Sequence, residues 1–250
     1  MITSLLIAGA SIAAISLIGV ISTITVLKKF FDAYARYFIS FATGVFLVLI
    51  YSLVEEILHD GFSLSLFLYV LLGILFFYGL TKIARAHHHH GKTEAHNHSK
   101  IDAWRMLLGD TLHNIGDGIL LVPIFLSSSV LGSAAVIGII VHEMVQEIAE
   151  FFVLKEAGFS TAKALFFNFL TALAIFIGIF IGISVTDIEG VALPLLAFTT
   201  GGFIYLVLFD FMPSIKRSMQ YECRKTPHII FLLVGFFLMY FLTTYLGHGH

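Results

Sequence analysis

Runs of apolar residues separated by short polar connections organise the whole sequence. Each run is close to the roughly 20 residues that an α-helix needs to cross the hydrocarbon core of a bilayer. The pattern therefore predicts an all-α membrane protein with eight transmembrane helices. The predicted spans cover residues 3–27, 37–58, 63–83, 104–126, 130–153, 164–184, 191–212 and 228–246.

Composition agrees with this interpretation. Of the 250 residues, 58% are hydrophobic and 12% are charged, and the mean hydropathy is +0.97, whereas about a quarter of the residues in soluble domains are charged. The single cysteine, Cys223, excludes an internal disulfide and a Cys-based zinc finger. A net charge of -2 gives no indication of nucleic acid binding. No GxxxxGK(S/T) motif occurs, so an ATP-driven pump would need a separate motor subunit.

The basic residues predict the orientation of the chain. All 14 Lys and Arg residues lie in alternate connections, those between spans one and two, three and four, five and six, and seven and eight. Basic connections stay in the cytoplasm, so both termini are expected on the extracytoplasmic side, which requires an even number of spans. We expect one transmembrane domain over 1–250, with a cytoplasmic loop at 84–102 within it.

Span four carries polar side chains inside its apolar run. Asp110, His113, Asn114 and Asp117 follow one another at intervals of three or four residues, which places them on one face of a helix. A carboxylate or imidazole at membrane depth is costly unless it faces protein, water or an ion. We therefore expect this face to be turned toward the protein interior.

Span five carries a second polar stripe, within the sequence HEMVQEIAE. Only a short turn at 127–129 separates spans four and five, so the two helices are expected to pack antiparallel. Their stripes should face each other, because neither can face lipid. The members of the second stripe are His142, Glu143, Gln146, Glu147 and Glu150.

Imidazole and carboxylate together suit borderline divalent metals such as zinc, iron(II), manganese or cobalt. The facing stripes offer more side chains than the four ligands of one tetrahedral zinc, so two adjacent metal positions can be expected. A dication would also relieve the repulsion between neighbouring carboxylates. The alternative is that these polar residues only hydrogen-bond between helices, as single buried polar residues in membranes often do.

At these residues the chain resembles the ZIP family of divalent metal transporters. HNIGDG (113–118) resembles the HNxxDG motif of the family's fourth helix, and HEMVQEIAEF (142–151) resembles the fifth-helix pattern HEIPHExGDF. FATGVFL (41–47) and GGFIYLVLFDFMPS (201–214) resemble parts of its second and seventh helices. The resemblance implies uptake of divalent metal into the cytoplasm, through a binuclear centre between helices four and five on a mobile bundle.

The resemblance also implies metal ligands from both helices. The residues expected to surround one or both ions are His113, Asp117, Gln146 and Glu147. The residues expected at the second position or beside it are Asn114, His142, Glu143 and Glu150. Further metal candidates at the margin of the site are Asp110, Asn168 and Asp210, where Asn168 either reaches the second metal position or hydrogen-bonds between helices and Asp210 lines the inner exit.

The sequence departs from the family pattern in three places. Gln146 replaces a second histidine, which leaves metal preference open. Val145 replaces a proline, so span five is expected to be straighter. Glu55, Glu56 and His59 end span two where the family often has a histidine. They form either an outer vestibule that collects cations or a solvated helix end.

The connection between spans three and four is rich in histidine, and it is polar and aperiodic. Such a tract can bind metal loosely on the cytoplasmic side; the alternative is a solvated linker whose histidines are incidental. Its accessory metal candidates are His87, His88, His89, His90, His96 and His98.

Other classes of membrane protein share some of these sequence features. An intramembrane metal-dependent hydrolase would fit the opening of HEMVQ, but Gln146 takes the place of the second histidine of the HExxH motif. Further alternatives are a proton-coupled carrier of another solute and a metal exporter, whose cation-diffusion type uses six spans and a soluble domain. We expect a transporter and not an enzyme, with no organic cofactor.

The expected substrate is a divalent metal, zinc before cadmium, iron or manganese. The expected partners are metal ions and the lipid bilayer, not nucleic acid, with a homodimer as one option for assembly. The expected location is the plasma (inner) membrane of a prokaryote.

Overall fold

The computed structural model of the chain describes residues 1–23, 25–59, 63–85, 100–222 and 225–246. All regular secondary structure within these ranges is helical. The helices are α1 (Ile2–Ile15), α2 (Thr25–His59), α3 (Leu64–Arg85), α4 (Lys100–Ser127), α5 (Ser129–Glu156), α6 (Thr161–Ala172), α7 (Ile175–Thr186), α8 (Ala192–Tyr205), α9 (Met212–Glu222) and α10 (Thr226–Leu246). A 3₁₀ segment, Ser16–Thr23, continues α1, and a π-helical segment, Leu206–Phe211, joins α8 to α9.

The prediction of an all-α membrane protein is confirmed. Among the described residues, seven helical stretches are long and apolar enough to cross a membrane. They correspond to every predicted span except the fourth. That span is α4, whose 28 residues extend over about 42 Å but whose apolar run is interrupted by the polar side chains of the first stripe. The count of eight spans and the side on which the termini lie remain predictions.

Predicted spans six and seven are each built from more than one helix. Leu173 and Ala174 separate α6 from α7 with tight turn hydrogen bonds, such as Ala174 N–H to the carbonyl of Thr171 (3.0 Å). In span seven, Pro213 has no N–H to offer the carbonyl four residues earlier. The N–H of Met212 bonds instead to the carbonyl of Val207, five residues back. This π-helical turn carries Asp210, and such turns are frequent at functional sites.

The ends of α4 and α5 follow from local sequence. Ser128 caps the start of α5, where its hydroxyl accepts a hydrogen bond from the N–H of Leu131 (3.4 Å). The chain therefore turns back at once, and α5 packs along α4. At its other end α5 ends before Gly158, whose φ of +86° is favourable only for glycine. Between these ends α5 runs unbroken through Val145.

Three pairs of helices approach each other through reciprocal glycines. The pairs are Gly44 of α2 with Gly235 of α10, Gly73 of α3 with Gly201 of α8, and Gly118 of α4 with Gly178 of α7. A Cβ atom on Gly178 would lie 2.0 Å from the carbonyl oxygen of Ile115, and one on Gly118 would lie 2.2 Å from that of Ile175. Small residues let membrane helices pack with their backbones in contact, so α7 is held tightly against the helix that carries HNIGDG.

An aromatic core lies where α2, α5 and α8 meet. The ring of Phe46 is fully buried, 5.0 Å from the ring of Phe203 and 5.7 Å from that of Phe211. Gly138 of α5 packs directly beneath it, because a Cβ there would lie 3.0 Å from the Phe46 ring. The helix that carries the second polar stripe therefore presents a smooth surface to α2 at this level.

Two sequence predictions concern regions away from the helix core. The histidines of the 84–102 loop (His87–His90, His96 and His98) lie outside the described residues. Glu55, Glu56 and His59 are exposed at the end of α2. Their arrangement is compatible with both readings given above.

The glycine contacts predict that a methyl group added at Gly178 destabilises the fold, whereas one added at Gly79 does not. Gly178→Ala should lower the free energy of unfolding by about 1–3 kcal/mol, because the Cβ meets backbone that cannot move independently. Gly79→Ala is the matched control, since its Cβ would meet no described atom within 4 Å. The melting temperatures of the two variants in detergent are measured by size-exclusion chromatography of heated samples. Equal melting temperatures would contradict this packing.

Candidate metal site

The polar stripes of α4 and α5 face each other inside the bundle. Of the residues predicted to bind metal, the buried ones are Asp110, Asn114, Asp117, His142, Glu143, Glu147, Glu150 and Asn168. His113, Gln146 and Asp210 are partly exposed and line a cavity beside these residues. The antiparallel pairing of α4 and α5 brings residues 110–117 level with residues 142–150.

One group of metal-ligand side chains centres on His113. Its Nε2 atom lies 3.2 Å from Oε1 of Glu143 and 3.7 Å from Oδ2 of Asp117. The ring of His142 is 5.4 Å from the His113 ring. Ligand atoms of His113, His142 and Glu143 all lie within 4.8 Å of one another. A tetrahedral zinc with bonds of about 2 Å separates its ligand atoms by roughly 3.3–3.5 Å, so small side-chain rotations would close this group around an ion.

A second group lies one turn further along both helices. Ligand atoms of Asp110, Glu143 and Glu147 also lie within 4.8 Å of one another. Glu143 belongs to both groups, so the two potential ion positions adjoin. The structure thus places Asp110 inside a ligand group, although sequence analysis put it at the margin of the site. Its spacing of three residues from His113 was the available signal.

Buried ligand atoms in both groups lack hydrogen-bond partners among the described residues. They include Oδ2 of Asp110, Nε2 of His142 and both carboxylate oxygens of Glu147, and beside the groups Oε2 of Glu150 and Oδ1 of Asn114 are unpaired as well. Each buried polar atom left unpaired costs about 1–3 kcal/mol, and more if it is charged. A cation bound among these unpaired acceptors would satisfy them.

Gln146 and Asn114 act as hydrogen-bond donors to the carboxylates. The Gln146 Nε2 donates to Oδ1 of Asp110 (2.9 Å) and to Oε1 of Glu150 (3.2 Å). The Asn114 Nδ2 donates to the same Asp110 oxygen (3.0 Å) and to the Asp110 carbonyl (3.1 Å). Both amides hold Asp110 with its other oxygen turned away. These bonds use only the amide hydrogens, and Oδ1 of Asn114 is buried without a partner among the described residues.

A third helix contributes to the site through Asn168 of α6. Its side chain is fully buried, and its Nδ2 donates to the backbone carbonyl of Glu147 (3.1 Å). Its Oδ1 has no partner among the described residues. This bond fixes α6 against α5 at the second ligand group.

A cavity of about 220 Å³ gives access to these side chains. Its walls include Asp110, His113 and Asp117 on α4, with Phe77 of α3 and Phe203 of α8 opposite. It extends from the exposed Arg105, on the basic side of the chain, to the buried Leu120. The α3 and α8 walls could not be predicted from the sequence, because the residues that line them are largely apolar and resemble any other membrane-helix residues.

Packing is solid on the opposite side of the site. Leu121, Val122 and Ile124 of α4 are fully buried, as is Ala135 of α5, and Ile139 is almost so. Within the part of the chain that the structure describes, this layer closes the site toward Ser128, whereas the cavity opens it toward Arg105. The apolar layer separates the site from the turn at Ser128.

Comparison with known proteins agrees with this geometry. The sequence model of the family described as ZIP Zinc transporter matches residues 87–243. The chain belongs to the ZIP zinc transporter family. Members of this family are metal transporters, not enzymes. The match covers both ligand helices, and it confirms the resemblance seen in HNIGDG and HEMVQEIAEF.

Individual ZIP proteins resemble the same part of the chain. Human metal cation symporter ZIP14 is 36% identical over 152 residues, which is 58% of this chain and 31% of that protein. Zinc transporter foi of Drosophila melanogaster is 32% identical over 145 residues, 58% of this chain and 20% of that protein. Human zinc transporter ZIP10 is 31% identical over 164 residues, 54% and 20% respectively. The matches thus cover about a fifth to a third of the length of these relatives.

The unpaired ligand atoms predict that zinc stabilises the fold. At zinc concentrations about 100 times the dissociation constant, the gain is about 2.7 kcal/mol. Zinc should therefore raise the melting temperature of the purified protein, and a chelator should reverse the rise. Glu143→Gln should remove most of the effect, because Glu143 belongs to both ligand groups. Glu189→Gln, at an exposed carboxylate outside the cavity, is the control. A zinc response that survives Glu143→Gln would refute this role.

Proposed function

We propose that this ZIP family protein carries a divalent transition metal, zinc before cadmium, iron or manganese, across the bilayer into the cytoplasm. The observation that carries the proposal is the set of unpaired imidazole and carboxylate atoms between α4 and α5, reached by a cavity from the basic side. Mixed nitrogen and oxygen donors suit zinc and its neighbours better than calcium or magnesium.

The substrate site is proposed to be binuclear. His113, His142 and Glu143 would hold one ion, with Asp117 close enough to join them, and Asp110, Glu143 and Glu147 would hold the other. Glu143 has two oxygens, so it can bridge both ions. Gln146 and Asn114 would orient Asp110 through their amide hydrogens, and their amide oxygens remain candidate ligands.

Transport is proposed to proceed by alternating access. With the basic side cytoplasmic, the cavity faces inward and the layer around Leu121 and Ile139 forms an outer seal. The group that would move contains α1, α4, α5, α6 and α7, since Gly118 and Gly178 bind α4 to α7. It would slide against α2, α3, α8 and α10, where Gly138 presents a smooth surface to Phe46. We also propose that the chain has eight transmembrane spans with both termini on the extracytoplasmic side.

Three finer points stay part of the proposal. The histidine-rich loop would bind metal loosely at the inner surface. A homodimer is retained as one option for assembly. A prokaryotic plasma membrane is retained as the location, although the relatives named above come from animals. An intramembrane hydrolase is less well supported, because Gln146 stands where its second histidine would be and donates its amide hydrogens to carboxylates.

Site variants should separate transport from folding. His113→Ala, Asp117→Ala and Glu147→Ala should each reduce zinc uptake into proteoliposomes by at least roughly 10–100-fold, the loss typical even for residues that support a metal ligand. Asp187→Ala, at an exposed aspartate that ends α7, is the matched control and should transport normally. Unchanged uptake in all three site variants would overturn the site, provided that their expression and elution profiles are normal.

Replacing Gln146 tests what sets metal preference. Gln146→His removes the amide donors to Asp110 and Glu150 and adds an imidazole beside both ligand groups. Imidazole favours zinc over manganese, so the ratio of zinc to manganese uptake should rise in a competition assay that also includes cadmium and iron(II). Gln220→His, at an exposed position of α9, is the control. The same ratio in Gln146→His and the unaltered protein would show that this position does not set preference.

A further inference from the structure

A groove with one basic end runs along the outer face of α4 and α6. Three contiguous cavities of about 370, 440 and 510 Å³ form it, and Trp104 lines all three. We call it the α4–α6 groove. Its first part is lined by Lys100, Ser160 and Lys163, at the end of the bundle where the basic residues lie.

The rest of the groove is apolar and open to lipid. Its walls include Phe166 and Leu170 of α6, Ile177 of α7 and Leu108 of α4, each more than half exposed. These residues lie on helical stretches of membrane-spanning length, so the groove descends from the interface into the hydrocarbon region. No acidic residue is among the described residues that line it.

The tryptophan stands where polar and apolar parts meet. Its ring lies 4.9 Å from that of Phe167 and 6.1 Å from that of Phe159, and 52% of the residue is exposed. Tryptophan is favoured at the level of lipid headgroups, and lysine above it can extend its ammonium group to a phosphate. The lower groove, with a volume of about 510 Å³, offers an apolar surface to an acyl chain beneath such a headgroup.

We propose that the α4–α6 groove binds an anionic phospholipid of the cytoplasmic leaflet. Lys100 and Lys163 would hold the headgroup phosphate, and Trp104, Leu108 and Leu170 would pack against an acyl chain. Charge complementarity favours an anionic over a zwitterionic lipid, because Lys100 and Lys163 are the charged side chains among the described residues that line the polar end. This site lies outside the metal cavity and does not depend on the proposed transport activity.

The bound lipid would pack against the side of the metal site that α6 forms. Thr171 lies at the floor of the groove and donates to the carbonyl of Asn168 (2.8 Å). Asn168 in turn donates to the carbonyl of Glu147 (3.1 Å). A lipid chain on this surface would thus pack against the same turn of α6 that is bonded to the second ligand group.

The single tryptophan makes the proposal directly testable. The full chain is reconstituted in phosphatidylcholine vesicles of two kinds. One kind contains brominated phosphatidylglycerol, and the other contains brominated phosphatidylcholine at the same mole fraction. Bromine quenches only nearby indole, so Trp104 fluorescence reports occupancy of the groove. Brominated phosphatidylglycerol should quench more strongly. A lysine near an anionic surface changes lipid binding roughly fivefold, so Lys100→Ala combined with Lys163→Ala should reduce the relative binding constant about 30-fold.

Two controls make the outcome decisive. Lys216→Ala, at an exposed lysine of α9 that does not line the groove, should keep the full preference. Lys163→Arg should keep it as well, because a cation remains beside the phosphate. Equal quenching by both brominated lipids in the unaltered protein would overturn the proposal, whatever the fate of the variants. A preference that survives the double substitution, or that Lys216→Ala lowers equally, would also overturn it.

Discussion

The burial of several carboxylates between two membrane helices is the constraint on which the rest of the structure depends. Asp110, Glu143, Glu147 and Glu150 are all less than 9% exposed, and like charges at such short range repel strongly where water is scarce. They cannot face lipid, so α4 and α5 must face each other. The serine turn between them makes this pairing antiparallel and sets residues 110–117 beside residues 142–150.

Close helix packing keeps this polar interior sealed. The reciprocal glycines Gly118 and Gly178 hold α7 against α4, and the Asn168 amide holds α6 against α5. Among the described residues, these contacts bring the backbones of α4 and α7 together beside the carboxylates. The cavity that begins near Arg105 reaches the same side chains from the other side.

Hydrogen bonding divides the polar residues into two roles. The amides of Asn114 and Gln146 satisfy one oxygen of Asp110, and the other oxygen has no partner among the described residues. A neutral imidazole has one N–H donor, whereas an amide has two and a carboxylate has none. Where the family's pattern has a histidine, Gln146 therefore supplies two amide hydrogens to an acceptor-rich site. This is a physical reason to expect metal preference to depend on that position.

The sequence alone determined the class of the protein, the helices and the two polar stripes. Apolar runs and basic connections follow from transfer free energies that act on each segment separately, so they can be read without coordinates. The paired motifs likewise identified the ZIP family. The sequence could not rank residues within the stripes or place Asp110 within reach of Glu143 and Glu147. It also could not predict the breaks in spans six and seven, the π-helical turn at Asp210 or the apolar cavity walls of α3 and α8, and the ligand roles of Asn114 and Gln146 stay predictions. Those depend on distances between segments far apart in the chain, which only the packed helices fix.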